Sequence, residues 1–339
     1  MNPKMHAKAA YIGDPNQLMS CFEGRLSGGK QDGVRFIQIS NGNGFELTLL
    51  PDRCLDIYQL RFRGLNVNYI SPVGAVAPSY YDRQDIQFLR SFFVGFLTTC
   101  GLQNIGGFGV CEGEGQGLHG RISNTPASDC HVRRDWSDGR ASIVVTAEMR
   151  EARLFAENLV LRREIRVFHD TNRFEITDSI RNDAFTARPF VYALHMNYGY
   201  PLLEEGTRLL IDSEKLVPRD AEAAKYADSW QTVEAPSAPY TERCYFHQIR
   251  PDKAGKRSYA LFNEKRKIGV RVSYPAADFP DFCQWKMLGS GEYVMGLEPL
   301  AYNLDAPKPG AENCAAPLLQ PAETRSFTLT VEGLDELPK

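Results

Sequence analysis

The chain has 339 residues, of which 43% are hydrophobic and 24% charged, and its formal net charge is −3. That mix is ordinary for a globular protein and argues against disorder. With no run of five like charges it also argues against nucleic-acid partners and a polybasic membrane footprint. No apolar stretch is long enough for a transmembrane helix, and the N-terminal MNPKMHAKAAYIGDPNQ lacks the apolar core of a secretory signal. The cysteines (Cys21, Cys54, Cys100, Cys111, Cys130, Cys244, Cys283 and Cys314) are scattered and form no CxxC. Reduced thiols in a cytoplasmic protein are the expectation.

The dominant sequence period is two, the mark of half-buried strands. In chain order the strand candidates begin with FELTLL and LDIYQLRF. Helical signal is weak, and DRQDIQFLRSFF is expected to form one or two turns. The segment Thr98–Pro126, TTCGLQNIGGFGVCEGEGQGLHGRISNTP, is too dense in glycine for a good strand or helix interior. It reads as a loop that brings backbone close to a ligand. ASIVVTAEM follows, then NLVLRREIRVF, in which Leu159, Leu161, Ile165 and Val167 share a face. HDTN, His169–Asn172, reads as a hairpin turn leading into NRFEITDSIR, where Phe174, Ile176 and Ile180 line up. PFVYALHM and RLLID come next. The polar stretch Asp220–Thr241, with Pro236 and Pro239, reads as a long surface loop at the rim of a site. ERCYFHQI, RSYALF, IGVRVSY, EYVMGLE and SFTLTVE complete the set. So many strands with so little helix predict an all-β protein of sheet packed on sheet. No repeat or linker divides the chain. One domain over residues 1–339 is expected, with residues 1–40 forming an N-terminal extension and the first strands.

Three residues stand out for chemistry. His119 lies between glycines in GLHGR, beside Arg121. His195 ends an apolar strand in ALHMNYGYP, beside Asn197. Glu298 closes the apolar run YVMGLEP, where Pro299 is expected to stop the strand. Burial there would raise its pKa toward the range of a general base. His131 and His169 sit among charged residues and read as solvated turns. Arg53 and Asp56 in PDRCLDI have two equal readings: a buried pair stabilising a turn, or an arginine fork to sugar hydroxyls. Gln284 and Trp285 could serve a binder or an enzyme. There is no P-loop, HExxH or GxSxG, and the glycines between 106 and 115 do not sit in a βαβ unit, so a dinucleotide reading is poor.

The order GLHGR, ALHMNYGYP, GLEP resembles the galactose mutarotase-like superfamily. PDRCLDI, SPVGAVAP, FFVGFLTTCGLQN, GLHGRISNTPA and GLEPLAYN resemble more closely an uncharacterised aldose 1-epimerase-like branch of it. The resemblance is collinear from about residue 40 to the C-terminus. TTCGL and LHGR are its most specific parts. Two positions depart from the pattern: HMNYGYP replaces an HxYFN-like strand end, and Cys54 stands where the branch commonly has glycine. The resemblance implies a β-supersandwich with a concave sugar-binding groove and acid–base ring opening of an aldose. Glu298 would be the base, His195 the acid and His119 a polarising group. Arg53, Asp56, Arg121, Asn197, Gln284 and Asn303 would bind substrate, and no cofactor or metal would be needed. The expected partner is a small-molecule sugar or sugar acid, and a homodimer is a candidate assembly. Three alternatives stay open. One is an isomerase or lyase acting on a sugar acid clamped by Arg53 and Arg121. The second is a sugar-binding module without turnover. The third is a metal site of His119, His195 and Glu298, which no local spacing demands.

Overall fold

The computed structural model describes residues 10–111, 113–136 and 140–338. Most of its strands fall into three antiparallel sheets. A five-stranded meander runs through Ser20–Arg25, Arg35–Ser40, Phe45–Leu50, Asp56–Phe62 and Leu65–Asn66. An eight-stranded sheet has the order Arg208–Ile211, Lys256–Asn263, Ile268–Pro275, Thr324–Leu334, Arg173–Asn182, Asn158–Phe168, Ser142–Ala152, Asp129–Asp135. A six-stranded sheet has the order Ser213–Pro218, Arg243–Ile249, Asp281–Gly289, Glu292–Leu300, Val191–Tyr198, Leu97–Leu102. One hydrophobic cluster draws on all three, with Ile37 and Leu47 from the first, Ile165 and Leu329 from the second, and Leu194 and Leu297 from the third. No helix among the described residues is long and apolar enough to cross a membrane.

Alternation explains most of these strands. NLVLRREIRVF is the strand Asn158–Phe168, and HDTN turns it into the antiparallel partner Arg173–Asn182. Several strands do not announce themselves in the sequence. Ser20–Arg25 and Asp129–Asp135 are edge strands with few apolar residues, and Ser213–Pro218 is an edge whose residues are all at least partly exposed. Arg35–Ser40 alternates only briefly, and Asp281–Gly289 is largely buried on both faces, so alternation is lost. DRQDIQFLRSFF condenses to a single 3-10 turn, Gln87–Arg90. The glycine-dense segment is more structured than a loop. It opens with the strand Leu97–Leu102, folds a small hairpin of Gly109–Cys111 with Glu114–Gln116, and ends in a 3-10 turn at Ile122–Asn124. Pro299 does not stop its strand, which continues to Leu300.

The apolar face of Asn158–Phe168 contains a charge. Arg163 has the same parity as Leu161 and Ile165 and is fully buried. Its Nε and Nη2 donate to the two carboxylate oxygens of Asp178, at 2.8 and 2.9 Å, and its Nη1 donates to Asp56 Oδ1 at 2.8 Å. The Tyr192 hydroxyl donates to Asp178, and the Thr99 backbone N–H donates to Asp56 Oδ2 at 3.0 Å. One guanidinium thus joins all three sheets.

This arrangement corrects the reading of PDRCLDI. The side chains of Arg53 and Asp56 do not pair with each other, and neither lines the cleft on the six-stranded sheet. Arg53 is fully buried and donates to three backbone carbonyls: Ser123 at 2.9 Å, Val76 at 2.9 Å and Ser91 at 3.0 Å. Its fork ties together three segments distant in sequence, and burial lowers its pKa to about 10. Cys54 between them has φ +59°, the left-handed region where glycine is the easier residue.

Removing one partner of a buried, hydrogen-bonded ion cluster leaves the others charged and unpaired, which costs about 3–5 kcal/mol. Arg163→Met keeps the volume of the side chain but strands Asp56 and Asp178. Urea denaturation should show a loss of that order. A loss of only about 1 kcal/mol, the scale of an exposed pair, would remove Arg163 from its place as the structural hub.

Candidate functional site

The six-stranded sheet has two faces. One carries Tyr192, Leu194, Met196 and Leu297 into the core. The other forms the floor of a cleft of about 600 Å³. On that face a row of side chains crosses the sheet. Phe246 pairs with Cys283 and Cys283 with Glu298, while His195 pairs with Thr98. The register that matches Ala193 with Leu300 and Met196 with Leu297 sets His195 opposite Glu298. Pro299 has no N–H to give to this ladder, so the pairing opens where the His195 and Glu298 side chains meet. Directly opposed side chains on one face are close neighbours, and His195 Nε2 lies 3.3 Å from Glu298 Oε1.

Gly296 makes the meeting possible. A Cβ there would lie 3.0 Å from His195 Cε1 and 3.1 Å from Glu298 Oε1. Burial governs the charge of both groups, which are 4% and 2% exposed. It pushes the Glu298 carboxyl up to about 8, with Arg219 pulling the other way. It pulls the His195 imidazole down to about 4, against a raising influence from Asn197. The resting pair is therefore a neutral carboxylic acid facing a neutral imidazole, because separated charges are poorly solvated here.

His119 arrives from the glycine-dense segment. Its ring centroid lies 5.3 Å from that of His195, nearly perpendicular. Its backbone occupies the left-handed region at φ +59°, and its own N–H donates to Gly106 O at 2.8 Å. Gly106 N–H donates to His119 Nδ1 at 3.3 Å, which places the ring proton on Nε2. Burial and the neighbouring His195 hold the imidazole well below its ordinary pKa, so His119 offers the cleft a neutral N–H donor. The glycines are needed for contact: a Cβ on Gly120 would lie 2.3 Å from Gly101 O and 2.5 Å from Asn104 O.

The other residues proposed from sequence divide. Asn197 is fully buried under Val94: its Nδ2 donates to Val94 O at 3.2 Å and to His195 O at 2.9 Å. It supports His195 rather than touching the cleft. Gln284 has the wrong parity. It faces the core, where it meets His247 Nε2 at 3.1 Å and donates to Trp230 O at 3.0 Å, while its neighbour Trp285 faces the cleft. Arg121 pairs with Glu114 at 3.1 Å and lines a separate hollow with Tyr81 and Asn124. Asn303 accepts the Asp305 N–H at 2.9 Å and closes a turn beside the cleft. Leu304 and Asp305, not Asn303, line it.

Two cleft residues escape a reading of the sequence. Arg219 and Glu242 bracket the polar stretch Asp220–Thr241, whose ends the fold brings together. Arg219 Nη2 donates to Glu242 Oε1 at 2.8 Å, and Trp285 Nε1 donates to Glu242 Oε2 at 2.8 Å. The expectation of a rim loop was the available signal, and it pointed one residue inside each end. No cluster of His, Cys, Asp or Glu able to hold a metal occurs among the described residues.

Comparison with known proteins places this geometry in a family. No curated protein matches the sequence. A solved structure from Klebsiella pneumoniae, provisionally named an aldose 1-epimerase, is 26% identical with a TM-score of 0.87, covering 95% of this chain and 86% of that one. A galactose mutarotase-like protein from Clostridium acetobutylicum is 13% identical with a TM-score of 0.68, covering 95% of this chain and all of the other. Galactose 1-epimerase from Lactobacillus acidophilus is 11% identical with a TM-score of 0.57, covering 93% and 98%. Residues 31–332 match the model of a family described as a domain of unknown function, DUF4432. The chain belongs to that DUF4432 family and carries the galactose mutarotase-like fold.

Proposed function

We propose that the cleft interconverts the anomers of an aldose by acid–base ring opening. The observation that carries this reading is the buried contact of 3.3 Å between His195 Nε2 and Glu298 Oε1, with His119 beside it. Ring opening needs one group to take the proton of the anomeric hydroxyl and another to protonate the ring oxygen as its bond to the anomeric carbon breaks. The aldehyde then turns and closes on either face, and both protons return. The pair holds one proton between its members, so it can supply either role. Sugar hydroxyls donating to the carboxylate favour the form in which the proton sits on the imidazole. On this assignment Glu298 is the base and His195 the acid, and the His119 N–H steadies an oxygen of the substrate. Asn197, on the far side of His195, is a positioning residue. The reading as a sugar-acid enzyme loses support because Arg53 and Arg121 both lie outside the cleft. Arg219 reaches it already held by Glu242.

Glu298→Gln should keep sugar affinity and lose anomer interconversion by about 10²–10⁴-fold, the usual worth of a general acid or base. His195→Asn should lose a comparable amount. Exchange NMR on a panel of aldoses measures both. A Glu298→Gln protein as fast as wild type would end the assignment.

The pH dependence follows from the same pair. Below about 4 both groups are protonated, and above about 8 neither is, so kcat/KM should be bell-shaped between those limits. Either distribution of the single proton gives the same bell. A profile flat from pH 4 to 9 would show that the pair does not carry the reaction.

Stability offers a readout free of activity. Glu298 has a folded pKa of about 8 against an ordinary 4.5. A raised carboxyl contributes stability that is present below the unfolded value and is lost as pH rises through the folded one. The Tm of wild type should therefore fall relative to Glu298→Gln between about pH 4.5 and pH 8. Parallel curves would mean that the carboxyl ionises freely.

A further inference from the structure

The cleft is poor in polar groups for a site that takes a sugar. Its polar side chains gather in two places: the His119, His195 and Glu298 group on the floor, and the Arg219–Glu242 pair on one side. Between them stands an apolar wall. Phe92, Val94 and Val294 form one buried cluster, joined by Leu118, Trp285 and Met287. The hydroxyls nearest this wall donate elsewhere, Ser71 Oγ to Phe92 O at 2.7 Å and Tyr69 to Gly291 O at 3.0 Å. Glu292 and Asp305 line the cleft only from its exposed rim.

We propose that the substrate is a 6-deoxyhexose, a sugar with a methyl group where common hexoses carry a hydroxymethyl. The inference rests on the reading of the site as an anomer-interconverting one. Ring opening requires a free anomeric hydroxyl, so an apolar group on the substrate cannot be an aglycone at that carbon. The exocyclic carbon is attached next to the ring oxygen, so it lies beside whichever group protonates that oxygen. That group is His195, whose ring packs at 5.6 Å from both Phe92 and Trp285. A methyl there gains contact with the wall. A hydroxymethyl in the same place gives up its water beside the Phe92 ring and the Trp285 indole, whose one N–H is already given to Glu242. An apolar pocket discriminates against an added hydroxyl by about tenfold to a hundredfold, not more.

The test compares matched pairs with the full-length protein: D-fucose with D-galactose, D-quinovose with D-glucose, and L-rhamnose with L-mannose. Exchange NMR yields kcat/KM for each, corrected for the rate in buffer. At least one pair should favour the deoxy member by about ten to a hundredfold. Met287→Gln, which adds an amide to the wall at similar volume, should narrow that ratio. Ratios near one, or in favour of the hydroxylated member, in every pair turned over would overturn the proposal and leave the proposed reaction standing. If no sugar is turned over, the reaction fails, and calorimetric titration of the same pairs decides the substrate class. Tighter binding of a deoxy member upholds it. Equal binding, or none, overturns it.

Discussion

A single buried arginine holds the architecture. Arg163 lies on a face that the sheet would otherwise fill with leucine and isoleucine, and three of its hydrogen bonds reach Asp178 and Asp56 on two other strands. A lone charge at this depth would cost far more than the fold can spare, so the partners cannot be varied independently. Asp56 comes from the five-stranded meander, Arg163 and Asp178 from the eight-stranded sheet. Thr99 and Tyr192, which complete the hydrogen bonds, come from the six-stranded sheet. Thr99 and Tyr192 belong to the strands Leu97–Leu102 and Val191–Tyr198. The next residue of opposite parity on the first, Thr98, pairs with His195 on the second. Fixing the core face of these strands fixes what their cleft face presents.

Arg53 does similar work from the other side of the cleft. Its three donations hold the carbonyls of Val76, Ser91 and Ser123. Ser91 precedes Phe92 by one residue and Val94 by three, both of which wall the cleft, and Ser123 follows His119 by four residues. The arginine never touches the cleft yet decides where its walls stand. A residue can thus shape a cleft that it does not line. The geometry of a site is set by residues that satisfy backbone carbonyls as much as by those that meet the ligand.

The fold class was legible because strand alternation is a local property, and the strands with clean alternation are those in the middle of the sheets. Several edges were not legible, since an edge strand such as Asp129–Asp135 carries charge that keeps it from pairing with other chains. Local setting singled out His119, His195 and Glu298 one by one; that they belong together came from the resemblance. The failures share a cause. Gln284 was read as a ligand-facing residue, and Arg53 and Asp56 either as such or as a buried pair; each satisfies its hydrogen bonds inside the fold with other partners. Gln284 could have been placed by parity, because Trp285 beside it cannot face the same way. Arg163 was passed over within an otherwise correct apolar face, and Arg219 and Glu242 owe their meeting to a loop closure that no local pattern encodes.

The apolar walls and the chemistry are one device. Burial raises the pKa of the Glu298 carboxyl to about 8, against the pull of Arg219. The side chains that bury it are the ones any bound molecule must contact. A cleft lined with amides and hydroxyls would bind a hexose through more hydrogen bonds, but it would also solvate the carboxylate and bring its pKa back toward the ordinary value. The pair would then ionise without needing the substrate. On the proposed reaction, a charge on Glu298 in the apolar cleft would be stabilised chiefly by what binds there, which would tie proton transfer to occupancy. The cost of that coupling is a narrower choice of ligand, because every hydroxyl directed at the wall gives up its water without replacement.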